Sequence, residues 1–280
     1  MSSRISRIVL GLSALILAAL LAGCSELINP FTAEESFARS FDVTGAPRIV
    51  VETFNGRVEA RAGAEGTVSV EGTKRGSGAT QSEAEADLKN VEVSMTQEGA
   101  TIRIVARRID NTFNTGNSGA SFELSVPAGA TLDLRSSNGS ITAEGVTGGV
   151  TMETSNGELQ VRGGQGRQDL RTSNGRIHIE AESAEVDAHT SNGEIVFEGS
   201  LAEGNHTFET SNGGIEITLP AEARFRIDAS TSNGKVSTDF PVTMTGTQDD
   251  NTLRGTVGES ASVSIRAATS NGRIEIRQGR

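Results

Sequence analysis

Asn-Gly steps recur along this chain at Asn55, Asn138, Asn156, Asn174, Asn192, Asn212, Asn233 and Asn271, and all but the first follow a serine. From Asn138 the gaps are 18, 18, 18, 20, 21 and 38 residues, the last being two periods of 19. A fixed period of this size marks a solenoid, in which each repeat buries its apolar face only by stacking on a neighbour.

The repeats align column by column. Six residues before each Asn stand Leu132, Val150, Gln168, Val186, His206, Ile227 and Ile265. Four before stand Leu134, Met152, Leu170, Ala188, Phe208, Ala229 and Ala267, and three after stand Ile141, Leu159, Ile177, Ile195, Ile215, Val236 and Ile274. Alternation of apolar and polar residues on both sides of the Asn-Gly step means two half-buried strands per repeat. Eighteen residues suit two strands of about five residues plus two tight turns. The expected fold is therefore all-β, a parallel β-solenoid with coils of about 18 residues, stacked at about 4.8 Å as two facing sheets.

The turn pairs Asn138-Gly139, Asn156-Gly157, Asn174-Gly175, Asn192-Gly193, Asn212-Gly213, Asn233-Gly234 and Asn271-Gly272 are the structural site residues. Glycine is expected there for positive φ, and stacked Asn side chains for a hydrogen-bonded ladder. Two before each Asn stands Ser136, then Thr154, Thr172, Thr190, Thr210, Thr231 and Thr269, read as small β-formers where the coil narrows.

Residues 1–23 read as an export signal, with Arg4 and Arg7 ahead of the uncharged stretch Ile8 to Leu21. That stretch is short of the about 20 apolar residues a spanning helix needs. Leu21-Ala22-Gly23-Cys24 resembles a lipobox, which makes Cys24, the single cysteine, the lipidation site; an ordinary signal peptide or a membrane anchor is the alternative. Ser25 follows it, and in a host with two membranes that resembles sorting to the outer membrane. Residues 24–44, with Asn29-Pro30 and Glu34-Glu35, read as a tether, with Phe31 and Phe37 available to dock it.

Residues 45–130 read as a β-rich portion preceding the repeats of 131–280. It holds a first strand into Asn55, a short helix over about 79–90, a hairpin of Val91–Gln97 with Thr101–Arg107, a Gly-rich loop from Asn111 to Ala120, and a strand ending at Pro127. In the 38-residue gap, Phe240–Met244 and Leu253–Val257 read as a degenerate coil or a protruding hairpin. The last repeat ends at Arg280 with nothing after it, so an uncovered strand edge is expected, with self-association through the C-terminal coil unless Arg273, Arg277 and Arg280 block it.

Several stretches together resemble the bacterial putative-adhesin family of domain-of-unknown-function proteins. They are Leu124-Ser125-Val126-Pro127-Ala128-Gly129-Ala130, the Thr-Ser-Asn-Gly repeats, Asp239-Phe240-Pro241-Val242 and Leu253-Arg254-Gly255-Thr256-Val257-Gly258, with the helix and hairpin before the repeats. The resemblance covers about residues 45–280 and implies a β-solenoid envelope protein without an assigned activity.

Losing residues 1–23 removes two arginines, so the net charge of −11 becomes −13. Such a chain repels nucleic acid and anionic lipid. With no Trp or Tyr, sugar or base recognition by aromatic stacking has little to work with. Common catalytic and nucleotide motifs are absent, and Gly163-Gly164-Gln165-Gly166 reads as a turn between coils. His206 falls in an inward column, whereas His178 and His189 fall in outward columns of different sheets and cannot converge. Asp133, Asp169, Asp187 and Asp228 share one column; Asp169 and Asp187, on adjacent coils near Arg171, are the metal candidates for Ca²⁺. Solvated carboxylates are the plainer reading, and no cofactor is expected.

The function expected from the sequence is that of a non-enzymatic, lipid-anchored envelope module. It would present the outward residues Arg135, Glu153, Arg171, His189 and Glu209, with Glu158, Arg176, Glu194, Lys235 and Arg273, to an envelope protein or polysaccharide. The alternatives are a Ca²⁺-dependent β-helix enzyme acting on polysaccharide, and a self-assembling scaffold.

Overall fold

The computed structural model describes residues 31–110, 117–244 and 249–279. The export signal, Cys24 and most of the loop expected from Asn111 lie outside the described residues. The described chain starts on β1 (Phe31–Asp42) and runs through β2 (Arg48–Thr53), the Asn55 turn, β3 (Val58–Ala62) and β4 (Thr67–Gly78). Helix α1 (Gln81–Leu88), the hairpin of β5 (Val91–Glu98) and β6 (Thr101–Arg108), and β7 (Gly119–Val126) complete the first portion. The repeats supply β8 (Thr131–Asn138), β9 (Ile141–Glu144), β10 (Val150–Asn156), β11 (Leu159–Asn174) and β12 (Ile177–Asn192). They continue with β13 (Ile195–Leu201), β14 (Gly204–Asn212), β15 (Ile215–Leu219), β16 (Phe225–Asn233) and β17 (Val236–Thr238). Last come β18 (Thr243–Met244), β19 (Thr252–Val257), β20 (Val263–Asn271) and β21 (Ile274–Gln278).

All of these strands belong to one hydrogen-bonded sheet, whose pairings separate into two runs joined across the Asn-Gly turns. The run before the turns goes β5-β6-β2-β8-β10-β11-β12-β14-β20-β16-β19-β18. The run after them goes β1-β4-β7-β3-β9-β11-β12-β13-β15-β21-β17. The long strands β11 and β12 serve both runs, bending through the corner at Gly163–Gly166, where their register shifts. Coil pairs with coil in parallel, and antiparallel strands appear only towards the two ends. Alternate residues of both runs point inwards and form one apolar core, from Phe41 to Ile276. Full burial of an Ile or Val is worth about 1.5–3 kcal/mol, so the columns that define the period also carry the stability.

Two expectations are corrected here. The segment read as a tether is a regular strand from Phe31 onwards, with Ala33 and Phe41 buried and Phe37 packed edge-on to Phe122 at 6.1 Å. The last repeat is also not the terminal coil. β20 pairs with β14 on one side and β16 on the other, and β21 lies between β15 and β17. In space the coils of Asn212, Asn271 and Asn233 follow one another in that order. Among the described residues, the last repeat therefore lacks the free strand edge expected of it.

Side-chain quality explains the inversion. Ile265, Ala267, Ile274 and Ile276 are all buried, so the Asn271 repeat can be covered on both faces of its coil. The Asn233 repeat has a short second strand with Val236 only half buried, and it takes the end position. Its first strand is then covered by β19, antiparallel to it, and Phe240 packs edge-on against Phe225 at 5.1 Å. The opposite end is closed by α1, whose N-terminus is capped by Thr80 and Glu83. Thr80 Oγ1 accepts from Glu83 N–H at 3.2 Å, and Glu83 Oε2 accepts from Ala79 N–H at 2.9 Å. Gly76 and Gly78 of β4 let the helix lie directly on the strand.

His206 occupies its inward column fully buried. Its Nδ1 accepts from Val186 N–H at 3.2 Å and its Nε2 donates to Ala202 O at 2.9 Å, which requires the neutral ring. Burial lowers its pKa below the usual histidine value. A histidine whose folded pKa is depressed stabilises the fold fully above its unfolded pKa of about 6.5 and loses that contribution as pH falls below it. The melting temperature is therefore expected to drop between pH 7.5 and 5.5, and His206→Gln to flatten that drop in a thermal melt series. An unchanged pH slope in the variant would contradict the assignment.

Candidate binding surface

The Asn-Gly turns form three parallel ladders along the stacking direction. In the first, Asn side chains hand on hydrogen bonds: Asn156 Nδ2 donates to Asn138 Oδ1 at 2.8 Å, Asn174 to Asn156 at 3.0 Å, and Asn192 to Asn174 at 2.9 Å. Asn212 continues to Asn192, Asn271 to Asn212 and Asn233 to Asn271, each at 2.9 Å, in the spatial order of the coils. The second is backbone, with Gly139 N–H donating to Asn156 O at 2.9 Å and its equivalents running to Gly272 N–H on Asn233 O at 3.2 Å.

The third ladder is the threonine column, whose role goes beyond the shape of a small β-former. Its hydroxyls are buried donors. Thr154 Oγ1 donates to Gly139 O at 3.1 Å, Thr172 to Gly157 at 3.2 Å, Thr190 to Gly175 at 3.1 Å, and Thr210 to Gly193 at 3.0 Å. Thr269 and Thr231 do the same to Gly213 and Gly272 at 3.0 and 2.9 Å. Each acceptor belongs to a neighbouring coil, so the fixed place of the hydroxyl residue just before its own turn marks the column but not its partner.

The glycines answer a different requirement from the one expected. A Cβ on Gly157, Gly175, Gly193 or Gly272 would lie 1.9–2.1 Å from the carbonyl oxygen of the neighbouring turn glycine. Among the turn glycines only Gly56, Gly139 and Gly213 have positive φ, at 151°, 151° and 155°. Close stacking, shared by them all, is what excludes a side chain.

The outward residues form ion-paired rows. On the run before the turns, Arg171 Nη1 lies 2.5 Å from Asp169 Oδ1 and its Nη2 lies 2.9 Å from Asp187 Oδ2. His189 Nε2 is 2.6 Å from the other oxygen of Asp187, and its Nδ1 is 3.4 Å from Glu209, which meets Arg266 at 3.0 Å. Towards the other end, Arg48 and Arg135 share Asp133, and Arg135 approaches Glu153 at 3.5 Å. In the row after the turns, Arg176 pairs with Glu194 at 2.8 Å, and Arg273 with Glu275 at 2.9 Å. Coil order places Arg273 next to Lys235 and separates Glu158 from both. His178 stands on the opposite run from His189, near Glu180 at 3.5 Å.

A shallow groove of about 510 Å³ lies along this face, lined by Arg171, His189, Glu209 and Arg266 with Ser191 and Ser211. The repulsion between Asp169 and Asp187 that suggested Ca²⁺ is relieved by Arg171 itself. Among the described residues no group of three or more His, Cys, Asp or Glu side chains is placed to hold a metal ion. Arg266 escaped the sequence reading, although it is the one cation in the column that otherwise supplies Asp133, Asp169, Asp187 and Asp228.

The repeat geometry and the ladders define a β-solenoid closed by antiparallel caps. Residues 128–277 match the family described as Toastrack DUF4097, more than half of the 280 residues, and the chain belongs to that family. Among solved structures it is similar to a putative cell adhesion protein from Clostridium sporogenes, at 11% identity, covering 88% of this chain and 100% of that one with a TM-score of 0.39. A putative adhesin from Bacteroides fragilis is similar at 11% identity, covering 88% of this chain and 97% of that one, with a TM-score of 0.39. One from Parabacteroides distasonis follows at 12% identity, 86% and 97% coverage and a TM-score of 0.38. No curated protein matches the chain.

Proposed function

We propose that the protein is an exported, lipid-anchored cell-envelope module without enzymatic activity, which works by holding ordered polar faces out for an envelope protein or polysaccharide. The observation that carries this reading is the engagement of the outward charges with one another. Asp169, Asp187 and Glu209 are each held by a cationic or histidine side chain on a rigid sheet, along a shallow open groove. Exposed ion pairs are worth only about 0–1 kcal/mol each, so such a row can exchange its internal partners for external ones at little cost.

The anchor in this reading is acylated Cys24, with the outer membrane as destination in a host that has one. Cys24→Ala is expected to abolish incorporation of labelled fatty acid and move the protein from the membrane fraction to the soluble exported fraction. Membrane retention at the unaltered level would contradict the anchor. For display, binding of the purified protein to isolated envelope material is expected to fall when Arg171 and Arg266 are both changed to glutamate. Unchanged binding by a variant with an unchanged melting temperature would remove this face from the reading.

A further inference from the structure

Among the described residues β4 is the one strand paired with β1, and no strand lies on its other edge, where Asp42 O at the end accepts from Gln97 Nε2. Among the described residues the remaining run ends are short or covered. β17 and β18 have three and two residues. β5 is bridged to β1 by side chains, with Arg39 Nη1 donating to Met95 O at 2.8 Å and Gln97 Nε2 to Asp42 O at 2.8 Å. β1 itself runs for 12 residues in unbroken register, without proline, lysine or a bulge. Proline, lysine and bulges are among the devices that blunt an edge strand; the charges β1 does carry, Glu34, Glu35, Arg39 and Asp42, oppose pairing in any register that does not match their signs.

The sequence of this strand matches itself in reverse. We propose that β1 pairs with β1 of a second copy of this chain, antiparallel about a two-fold axis, with Phe37 opposite Phe37. In that register Glu35 faces Arg39 of the second copy, and Arg39 faces its Glu35. Ala33 faces Phe41 in the same way, so both buried positions stay on the inner face. On the outer face Thr32 meets Asp42, Glu34 meets Ser40 and Ser36 meets Ala38, and no like charges are opposed. A two-fold contact requires this reciprocity, in which residue i meets j and j meets i.

Other registers are poorer. Sliding by two residues sets Glu35 against Phe37 or Phe41, and sliding by four sets Glu35 against Glu35 or Arg39 against Arg39. A slip of one residue would turn the inner face of one strand to the outer face of the other. Within the chain Glu35 already faces Lys74 of β4, Nζ to Oε2 2.9 Å. The pairing would extend that into a row of alternating sign, Lys74, Glu35 and Arg39 of the second copy, like the rows seen elsewhere on the molecule. Main-chain hydrogen bonds along the added strand would supply the affinity and the charge pairs the register.

The test uses the full-length protein in density-matched detergent, followed by sedimentation over a range of concentrations. The unaltered chain is expected to show a monomer–dimer equilibrium. Glu35→Arg and Arg39→Glu each oppose two like-charge pairs in a homodimer and are expected to weaken dimerisation by about tenfold or more. Mixed together they restore both opposite-charge pairs, so the two variants are expected to form a heterodimer tighter than either homodimer. A strictly monomeric unaltered chain, a Glu35→Arg variant that dimerises as well as the unaltered chain, or a mixture no tighter than its components would each overturn the proposal. Heterodimer formation also shows that both variants fold.

Discussion

Replacing Gly175 by alanine is expected to cost about 3 kcal/mol. The new Cβ would lie 1.9 Å from Gly157 O and 2.6 Å from Gly157 C, both backbone atoms that no side-chain rotation can move aside. Relief requires the two coils to part at the turn. Parting them weakens the Gly157 N–H bond to Asn174 O, the Thr172 hydroxyl bond to Gly157 O and the Asn174 to Asn156 side-chain bond together. Buried donors and acceptors left unmade cost about 1–3 kcal/mol each, which is why steric and hydrogen-bonding losses compound here. Gly66 makes the matching control. It has φ of +81° and open space, its nearest neighbour standing 3.9 Å from an added Cβ. Gly66→Ala should cost only the about 1–2 kcal/mol of the left-handed backbone. Denaturant unfolding of the two variants measures the contrast, and equal losses would show that conformation rather than stacking sets the glycine requirement.

Truncation after Gly258 is the second large effect. In a solenoid whose coils follow sequence order, losing the last repeat shortens the stack and removes one coil–coil interface. Here it removes the coil that joins Asn212 to Asn233. Both pairings of β20 and both pairings of β21 go at once, with Ile265, Ala267, Ile274 and Ile276 from the core. The residues from Phe225 to Val257 would keep their antiparallel contact but lose their attachment to the stack, and β14 and β15 would present new open edges. The truncated chain is expected to expose apolar surface and aggregate, with hydrogen exchange over 225–257 losing its protection altogether. A soluble truncated chain with that protection intact would show that the Asn233 coil can close directly on the Asn212 coil.

The period, the two strands per coil and the inward columns were legible because each coil satisfies the same physical rule, alternation of side chains across a half-buried strand. Asn and Gly at the turn were legible as punctuation. The reason for the glycines was not, since their crowding comes from the next coil and nothing within one repeat reveals it. Coil order was hidden for a related reason. Ile265 and Ile274 fit the same columns as Ile227 and Val236, so periodicity cannot say which repeat stacks on the Asn212 coil. What decides it is how fully each repeat can be covered, and Val236 with its short strand is the poorer. β1 was hidden by its charges, because Asn29-Pro30 and Glu34-Glu35 look like a tether. The alternation of Ala33, Phe37 and Phe41 was present, and it becomes meaningful once β4 offers Gly72 beneath Phe37. The ion-paired rows were legible as columns of charge, but their partners run across coils, and Arg266 meets Glu209 only because the last coil moves inwards.

Disulfide trapping at the exposed serines of the turn column tests the coil order most directly. Adjacent coils place equivalent Cα atoms about 4.8 Å apart, inside the range a disulfide spans, whereas coils two apart stand at twice that distance, outside it. With Cys24 replaced by alanine, Ser211→Cys combined with Ser270→Cys is expected to oxidise rapidly in the folded protein, and so is Ser232→Cys with Ser270→Cys. Ser211→Cys with Ser232→Cys is expected to remain reduced. Rapid bond formation between positions 211 and 232, with none between 211 and 270, would contradict the inserted coil and return the repeats to sequence order.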